Sequence, residues 1–248
     1  VENLVLTGSA NLTGYGNALA NTIIGNAGSN RIFGYAGNDT IIASAGDDSI
    51  DGGDGSDTVS YAGNAAAYTL TVKGGAATAD GLAFSVNAGT GGTDTLTNVE
   101  TIKFADATVA VLNGTGGNDL LKAVSGPTII AGGNGNDSMT GSTGNDFLYG
   151  ERGNDVIDGG SGIDTAVYAG KKANYVITAT ASGFTVQDKV GNEGTDTLRH
   201  VERLQFADQT YDLTTGRPVA IGSAPPPVVI AAPPGAPSAR PSSPAVRT

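Results

Sequence analysis

The residues of this sequence that could do chemistry are aspartates at a fixed spacing. Eleven nonapeptide blocks can be aligned, five running on from Gly16 and six from Gly114. The sixth position of a block is Asp in eight of them: Asp39, Asp48, Asp57, Asp119, Asp137, Asp146, Asp155 and Asp164. The other three blocks hold Asn21, Asn30 and Thr128 there. Carboxylates at a regular spacing are ligands for a hard divalent cation, so the pattern predicts metal binding.

Two further columns of the blocks keep the same register and define the element that positions these aspartates. The fourth position is Gly in ten blocks, and the eighth is apolar in all eleven, from Ile23 to Ala166. Residues rich in Gly, Asn and Asp favour a turn, and the three residues around the apolar position form a short strand. Two blocks then make one coil, and each block stacks as a parallel strand on the block two further along.

Such a coil has too thin a core to fold by burial alone. One apolar side chain per block contributes about 2 kcal/mol, whereas each ordered residue loses about 1 kcal/mol or more of backbone entropy. On each edge, stacked turns bring carboxylates together, and these repel one another unless a cation lies between them. Carboxylate and turn carbonyl oxygens suit calcium better than magnesium, and zinc is disfavoured by the absence of Cys and the single His.

A related segment follows each run of blocks. Residues 61–113 begin YAGNAAAYTLTV and residues 168–215 begin YAGKKANYVITA, and both contain short alternating stretches typical of half-buried strands. The chain therefore reads as a tandem duplication. Its predicted parts are the end of a preceding β segment and a degenerate repeat (1–15), a first calcium roll (16–60), a β-rich cap (61–113), a second calcium roll (114–167), a second cap (168–215) and a Pro-rich disordered tail or linker (216–248).

Composition narrows the class of partner. The formal net charge is -11, which argues against nucleic acid or anionic lipid and for cations. The apolar runs are shorter than the ~20 residues of a membrane span. Gly, at 39 residues, disfavours helix. The opening VENLVLTG is similar to VETIKF and VERLQF in the caps, so we expect the chain to begin partway through a longer array.

The nonapeptides resemble the GGxGxDxUx repeat of the repeats-in-toxin (RTX, hemolysin-type) family, most closely in GGNGNDSMT and GERGNDVID. The resemblance covers residues 16–60 and 114–167. It implies an all-β fold of two parallel β-rolls, each a right-handed β-helix followed by a small β-rich cap. It also implies calcium between stacked turns, bound by carbonyls two and four and the Asp of one turn and by carbonyls one and three and the Asp of the next.

Carried over to this sequence, the resemblance implies about four calcium sites. The sites join Gly133, Gly135 and Asp137 to Gly150, Arg152 and Asp155; Thr115, Gly117 and Asp119 to Gly132, Asn134 and Asp137; Ser142, Gly144 and Asp146 to Gly159, Ser161 and Asp164; and Tyr35, Gly37 and Asp39 to Gly52, Asp54 and Asp57. Three more pairs lack one carboxylate and should be weak or empty, namely Asn30 with Asp48, Asn21 with Asp39, and Thr128 with Asp146.

Catalysis is not expected in this chain. His200 has no Cys, second His or nucleophile motif near it, so we predict a surface or packing role. Asp94 and Asp196, in the paired GTDTL sequences, are expected to cap turns through their own backbone. A thin roll also leaves no room for a sizeable ligand pocket.

The predicted function is that of a secreted bacterial protein, extracellular or at the cell surface, that folds when calcium binds after export; the resemblance implies a type I secretion apparatus. Two alternatives stay open: an adhesin or surface-layer module whose caps bind glycan or protein, and the accessory region of a secreted enzyme with an upstream catalytic domain.

Overall fold

The structure, a computed structural model, describes residues 2–72 and 83–219. The predicted disordered tail lies outside these residues from position 220 onwards. The first half holds β1 (Asn3–Val5), β2 (Thr13–Asn17), β3 (Thr22–Ile24), β4 (Arg31–Tyr35), β5 (Thr40–Ile42), β6 (Ser49–Asp51), β7 (Thr58–Ser60), β8 (Thr69–Val72), β9 (Phe84–Asn87), β10 (Thr93–Thr97), β11 (Thr101–Lys103) and β12 (Thr108–Asn113). Its 3₁₀ helices are Ala65–Ala67 and Gly89–Gly91.

The second half repeats this order of short strands. It holds β13 (Leu120–Lys122), β14 (Thr128–Asn134), β15 (Ser138–Thr140), β16 (Phe147–Arg152), β17 (Val156–Asp158), β18 (Thr165–Val167), β19 (Tyr175–Thr180), β20 (Gly183–Asp188), β21 (Thr195–Arg199), β22 (Arg203–Gln205), β23 (Thr210–Asp212) and β24 (Arg217–Val219), with a 3₁₀ helix at Lys172–Asn174. None of the helices among the described residues has the length or apolar character to cross a membrane.

The predicted coils of two blocks are confirmed by the register of the strands. In one sheet Thr22 pairs with Thr40, and Thr40 with Thr58, all in parallel. Of the eleven eighth-position side chains, ten are buried, and Leu121 is partly buried against the second core. The apolar column therefore points inward, and the turns that carry the sixth-position residues form the two edges of each roll.

The two rolls share one sheet. A twelve-stranded sheet runs in the order β1-β3-β5-β7-β11-β12-β14-β16-β18-β22-β23-β24, and each roll is completed by a six-stranded sheet, β2-β4-β6-β10-β9-β8 for the first and β13-β15-β17-β21-β20-β19 for the second. The predicted fold class, all-β with parallel β-rolls and β-rich caps, is confirmed.

The second roll lies on the opposite face of the shared sheet from the first. The strand direction reverses where β11 and β12 pair antiparallel, and β12 then pairs in parallel with β14. Along β14, Ile129 and Ala131 belong to the first core, whereas Ile130 belongs to the second. Reversing the strand direction would invert the hand of the coil, and so would moving to the other face of the sheet. Since both changes occur, the coils of the two rolls have the same hand.

Each cap segment extends both sheets of its roll. In the first cap, β10 pairs in parallel with β6, and β11 with β7. In the second cap, β21 and β22 pair in the same way with β17 and β18. The remaining cap strands form hairpins beside these, and an aromatic trio packs in each cap: Tyr61, Tyr68 and Phe104 in the first, and Tyr168, Tyr175 and Phe206 in the second. The caps thus add a further, irregular coil.

Candidate metal centres

A ladder of hydrogen bonds joins the sixth-position residues along each edge. The Asp39 N–H donates to Asp57 Oδ1 at 2.7 Å, and the Asp137 N–H donates to Asp155 Oδ1 at 2.8 Å. The same bond joins Asp119 to Asp137, and Asp146 to Asp164. Parallel stacking of identical turns produces this ladder, because each carboxylate comes to lie over the backbone amide one coil earlier.

The second carboxylate oxygen of six of these aspartates is buried without a hydrogen-bond partner. These orphaned oxygens are Oδ2 of Asp39, Asp48, Asp57, Asp137, Asp155 and Asp164. Each of the six side chains is at most 2 % exposed. Six buried, unpartnered carboxylate oxygens would cost several kcal/mol unless a cation neutralises them, so the set fits a metal-binding edge.

In five of the six blocks, a glycine at the first position keeps space open beside the orphaned oxygen; Ala43 takes this position in the block of Asp48. A Cβ built on Gly34 would collide with both the Gly52 carbonyl oxygen and Asp39 Oδ2. A Cβ built on Gly132 would likewise come too close to the Gly150 carbonyl oxygen and to Asp137 Oδ2. A carbonyl of one turn and the carboxylate of the turn below therefore converge on a common space, as the ligand set implied by the resemblance requires.

Nine of the eleven turns fall into two conformations, which differ at the second position of the block. In five open turns this residue has a left-handed φ: Tyr35 (76°), Gly53 (98°), Gly133 (95°), Glu151 (66°) and Gly160 (93°). Every open turn carries an Asp with an orphaned Oδ2. Tyr35 and Glu151 adopt this conformation although a side chain makes it unfavourable by roughly 1–2 kcal/mol.

In the closed turns the second residue donates its N–H to the sixth-position side chain of its own turn. Thr115 N–H donates to Asp119 Oδ2 at 2.7 Å, and Ser142 N–H donates to Asp146 Oδ2 at 2.6 Å. Asn17 and Asn26 bond in the same way to the side chains of Asn21 and Asn30. In a closed turn this oxygen is already satisfied, so a cation would have to displace a hydrogen bond.

The four ligand sets implied by the resemblance divide accordingly. The structure stacks the two turns of every set, and both turns are open in the sets that centre on Asp39 with Asp57 and on Asp137 with Asp155. In the sets that begin at Thr115 and Ser142, the first turn is closed. Thr128 stands below Asp146, as predicted, and donates its N–H to Asp146 Oδ1.

Burial makes the metal-free carboxylates hard to ionise. Burial, followed by repulsion from neighbouring carboxylates, raises the pKa of Asp164 to about 7. Burial likewise raises the pKa of Asp57 and of Asp155 to about 6, and shifts the pKa of Asp137 upward. A bound divalent cation would reverse this electrostatic penalty because it favours the charged form.

Two aspartates that the sequence reading assigned to local turns belong to the ladder. Asp94 Oδ1 accepts the N–H of Asp48 at 2.9 Å, and Asp196 Oδ1 accepts that of Asp155 at 2.9 Å. The expectation that they cap turns through their own backbone is therefore wrong. The sequence does contain these two repeats, as GTGGTDTLT (89–97) and GNEGTDTLR (191–199). Insertions before them break the nonapeptide register.

A tyrosine of the first cap distinguishes Asp94 from the other aspartates of the ladder. The Tyr61 hydroxyl donates to Asp94 Oδ2 at 2.9 Å, in the place that is orphaned in the open turns. Burial raises the pKa of Asp94 to about 6 and that of Asp196 to about 8. The tyrosine thus satisfies the Asp94 carboxylate with a proton donor at the end of the regular ladder.

The side chains of the described residues do not form a complete ligand set for a cation by themselves. No group of three or more His, Cys, Asp or Glu side chains gathers at one point in residues 2–72 and 83–219. A cation between turns would therefore take most of its ligands from carbonyls. The His200 imidazole is exposed and lies 2.8 Å from Asp158 Oδ1, in keeping with a surface role.

One expectation about cavities is wrong. A cavity of about 500 Å³ lies between the second roll and its cap, lined by Tyr149, Glu151, Tyr168, Tyr175 and Glu193 among others. This space lies outside the thin interior of the roll, where residues of the last coils face residues of the second cap.

One family model matches the repeats of this chain. The family model of the RTX calcium-binding nonapeptide repeat matches residues 15–47, 33–64 and 131–166. No curated protein matches the chain by sequence. Among solved structures, the extracellular lipase LipA from Serratia marcescens is similar with a TM-score of 0.33 and 17% identity, over 76% of this chain and 38% of that chain. The chain thus spans well under half the length of the lipase.

Proposed function

We propose that this chain, whose repeats match the family model of the RTX calcium-binding nonapeptide repeat, forms a calcium-binding β-roll region that folds when calcium binds. The six buried, orphaned Oδ2 atoms carry the proposal. Residues 16–60 and 114–167 would form the two calcium rolls, and the pairs of open turns would hold the strongest sites: Asp39 with Asp57, and Asp137 with Asp155. The remaining ligands of each site would be the turn carbonyls of the same two blocks.

The metal would supply the free energy that the thin core lacks. A site occupied at ten times its Kd stabilises the folded state by about 1.4 kcal/mol, and four such sites by about 6 kcal/mol. That amount is comparable with the whole stability of a domain. Millimolar calcium matches the ~10⁻⁴–10⁻³ M affinities of extracellular modules.

This dependence suits an exported bacterial protein. A chain that stays unfolded where calcium is scarce can pass a type I secretion apparatus and fold outside, so we place it in the extracellular space or at the cell surface. Calcium binding and not catalysis is then the task of the described residues. His200, the single histidine, is exposed, and its imidazole pairs with Asp158.

The test is a calcium titration followed by far-ultraviolet circular dichroism, starting from excess chelator. We expect the β-sheet signal to appear cooperatively as calcium rises, and magnesium at the same concentration to produce much less of it. A spectrum that is equally rich in β-sheet in excess chelator would contradict calcium-triggered folding, and the absence of calcium binding by calorimetry would contradict the sites.

The cavity of the second cap favours a second candidate, a module that also binds glycan. Its volume of about 500 Å³ lies in the range of ligand sites. Tyr149 and Tyr175 are among its lining residues, and Glu193 accepts a hydrogen bond from the Tyr175 hydroxyl. A mainly apolar and aromatic lining with a few polar groups is typical of sites for small ligands.

A glycan array probed with the calcium-loaded chain and its Tyr149→Ala variant tests this candidate. We expect binding by the wild type that the variant loses. Tyr15→Ala, which removes an exposed tyrosine from the first roll, is the control. No glycan binding by the wild type, or equal binding by the Tyr149→Ala and Tyr15→Ala variants, would contradict the glycan candidate.

A further inference from the structure

Two open turns have no complete block stacked above them. The turns that end in Asp57 and Asp164 are the last regular turns on their edges, and each carries an orphaned Oδ2 in a side chain that is 0% exposed. The chain returns over them in shortened turns, Asn98–Glu100 and His200–Glu202, which join β10 to β11 and β21 to β22. These shortened turns do not contain a GxGxD sequence.

The shortened turns nevertheless present a carbonyl at the same place as a regular turn. A Cβ on Gly52 would collide with the Asn98 carbonyl oxygen and would lie 2.8 Å from Asp57 Oδ2. On Gly159 it would collide with the His200 carbonyl oxygen and lie 2.7 Å from Asp164 Oδ2. Asn98 and His200 both have left-handed φ, 50° and 48°, which turns their carbonyls toward these glycines.

A glutamate replaces the sixth-position aspartate in each shortened turn. Glu100 Oε2 accepts the Asp57 N–H at 2.8 Å, and Glu202 Oε2 accepts the Asp164 N–H at 2.8 Å. This bond is the ladder bond that Asp makes elsewhere. The turn lacks several residues, so its backbone follows a shorter path, and the extra methylene of Glu restores the reach of the carboxylate.

We propose that each cap closes its roll with an additional calcium site, and this rests on the proposed function. The first site consists of the Gly53, Gly55 and Asn98 carbonyls with the Asp57 and Glu100 carboxylates. The second consists of the Gly160, Gly162 and His200 carbonyls with the Asp164 and Glu202 carboxylates. Five protein oxygens with one or two waters meet the six to eight ligands of calcium.

The free hydrogen-bonding capacity of these carbonyls supports the assignment. In the part of the chain that the structure describes, the carbonyls of Gly53, Gly55 and Asn98 accept no backbone hydrogen bond outside the sheets, and neither do those of Gly160, Gly162 and His200. The proposed sites thus combine two carboxylates with three carbonyls that accept none of these bonds. The same arrangement occurs in both caps, although the residue that supplies the carbonyl is Asn in one and His in the other.

Equilibrium dialysis against calcium, with the full chain, tests the proposal through the variants Glu100→Gln and Glu202→Gln. Gln keeps an oxygen that accepts the ladder N–H but removes the charge. We expect each variant to bind one calcium fewer than the wild type, and the double variant two fewer. Glu2→Gln, an exposed residue outside the turns, makes the same change in net charge and should bind the wild-type number.

The outcomes separate this site from the proposed function. If the wild type binds calcium and the Gln variants bind the same number with the same affinity as Glu2→Gln, the cap sites are wrong and the regular sites stand. If the wild type binds none, the proposed function fails. Glu100→Asp and Glu202→Asp keep the charge but remove the methylene that gives the carboxylate its reach. We expect weaker calcium affinity at the cap sites in these variants, and wild-type affinity would contradict the role of the longer side chain.

Discussion

The turns 132–137 and 141–146 carry nearly the same sequence, GGNGND and GSTGND, yet differ in what their aspartates can bind. In the first, Gly133 has a φ of 95° and Asp137 Oδ2 is left without a partner. In the second, the Ser142 N–H occupies Asp146 Oδ2 at 2.6 Å. The aspartate is common to both turns, so its presence alone does not define a site. The second residue decides whether its oxygen is open to a cation.

The largest effect should follow from removing the charge of the open-turn aspartate Asp137, which two of the implied sites share. In calcium at ten times Kd, Asp137→Asn should lower the free energy of unfolding by roughly 3 kcal/mol, the contribution of two sites. Asn retains the oxygen that accepts the Asp119 N–H, so the ladder should survive.

Urea unfolding with and without calcium measures this loss. Asp208→Asn, at an exposed carboxylate that accepts the Lys172 N–H, is the matched control and should change stability by under ~0.5 kcal/mol. Equal losses in the two variants would show that Asp137 does not bind calcium.

Acid should partly replace calcium. The pKa of Asp164 is raised to about 7, above that of Asp146 in its closed turn at about 6, and that of Asp196 is raised to about 8. The folded state therefore binds more protons than the unfolded state between pH ~4 and 8. The stabilisation that these protons give to the folded state is complete below the pKa of the carboxyls in the unfolded state. It is lost as the pH rises through 6 to 8.

In excess chelator we therefore expect the β-sheet signal in circular dichroism to grow as the pH falls from 8 to 5. Calcium affinity should move the other way, because protons compete for the same carboxylates. A metal-free β-sheet signal that is constant or weaker at pH 5 would show that the buried carboxylates do not oppose folding.

A smaller effect should come from opening the closed turn. Ser142→Gly removes the penalty of a left-handed second residue, about 1 kcal/mol, so the site with Asp164 should bind calcium roughly fivefold more tightly. Calorimetric titration measures the change. Ser125→Gly, at an exposed third position, is the control. Equal calcium affinities in the two variants would contradict the role of the second residue in closing the turn.

The smallest effect is expected for the His200 side chain. His200→Ala removes an exposed imidazole that lies 2.8 Å from Asp158 Oδ1, and solvent screens this contact, so stability should change little. Thermal unfolding in calcium measures the difference. Because only the carbonyl of this residue is assigned to the cap site, the number of bound calcium ions should not change, and a lost ion would show that the side chain is needed.

The sequence alone predicts the regular part of the fold, because one apolar column and one turn column are enough to fix a coil. Ile23, Ile41 and Val59 stack as their spacing predicts. The sequence also predicts part of the turn conformation, since Gly at the second position, as in Gly133, favours the left-handed φ. Tyr35 and Glu151 adopt it without that signal, so their conformation comes from the stacked neighbours.

Only the tertiary structure shows where the pattern continues after the register breaks. The insertions before Asp94 and Asp196 hide two further repeats, and Glu100 and Glu202 enter the ladder from turns of a different length. The sequence determines the coil because the repeat is local. The closing carboxylates and the placement of the second roll across the shared sheet depend on pairing between strands distant in the chain, which no local spacing encodes.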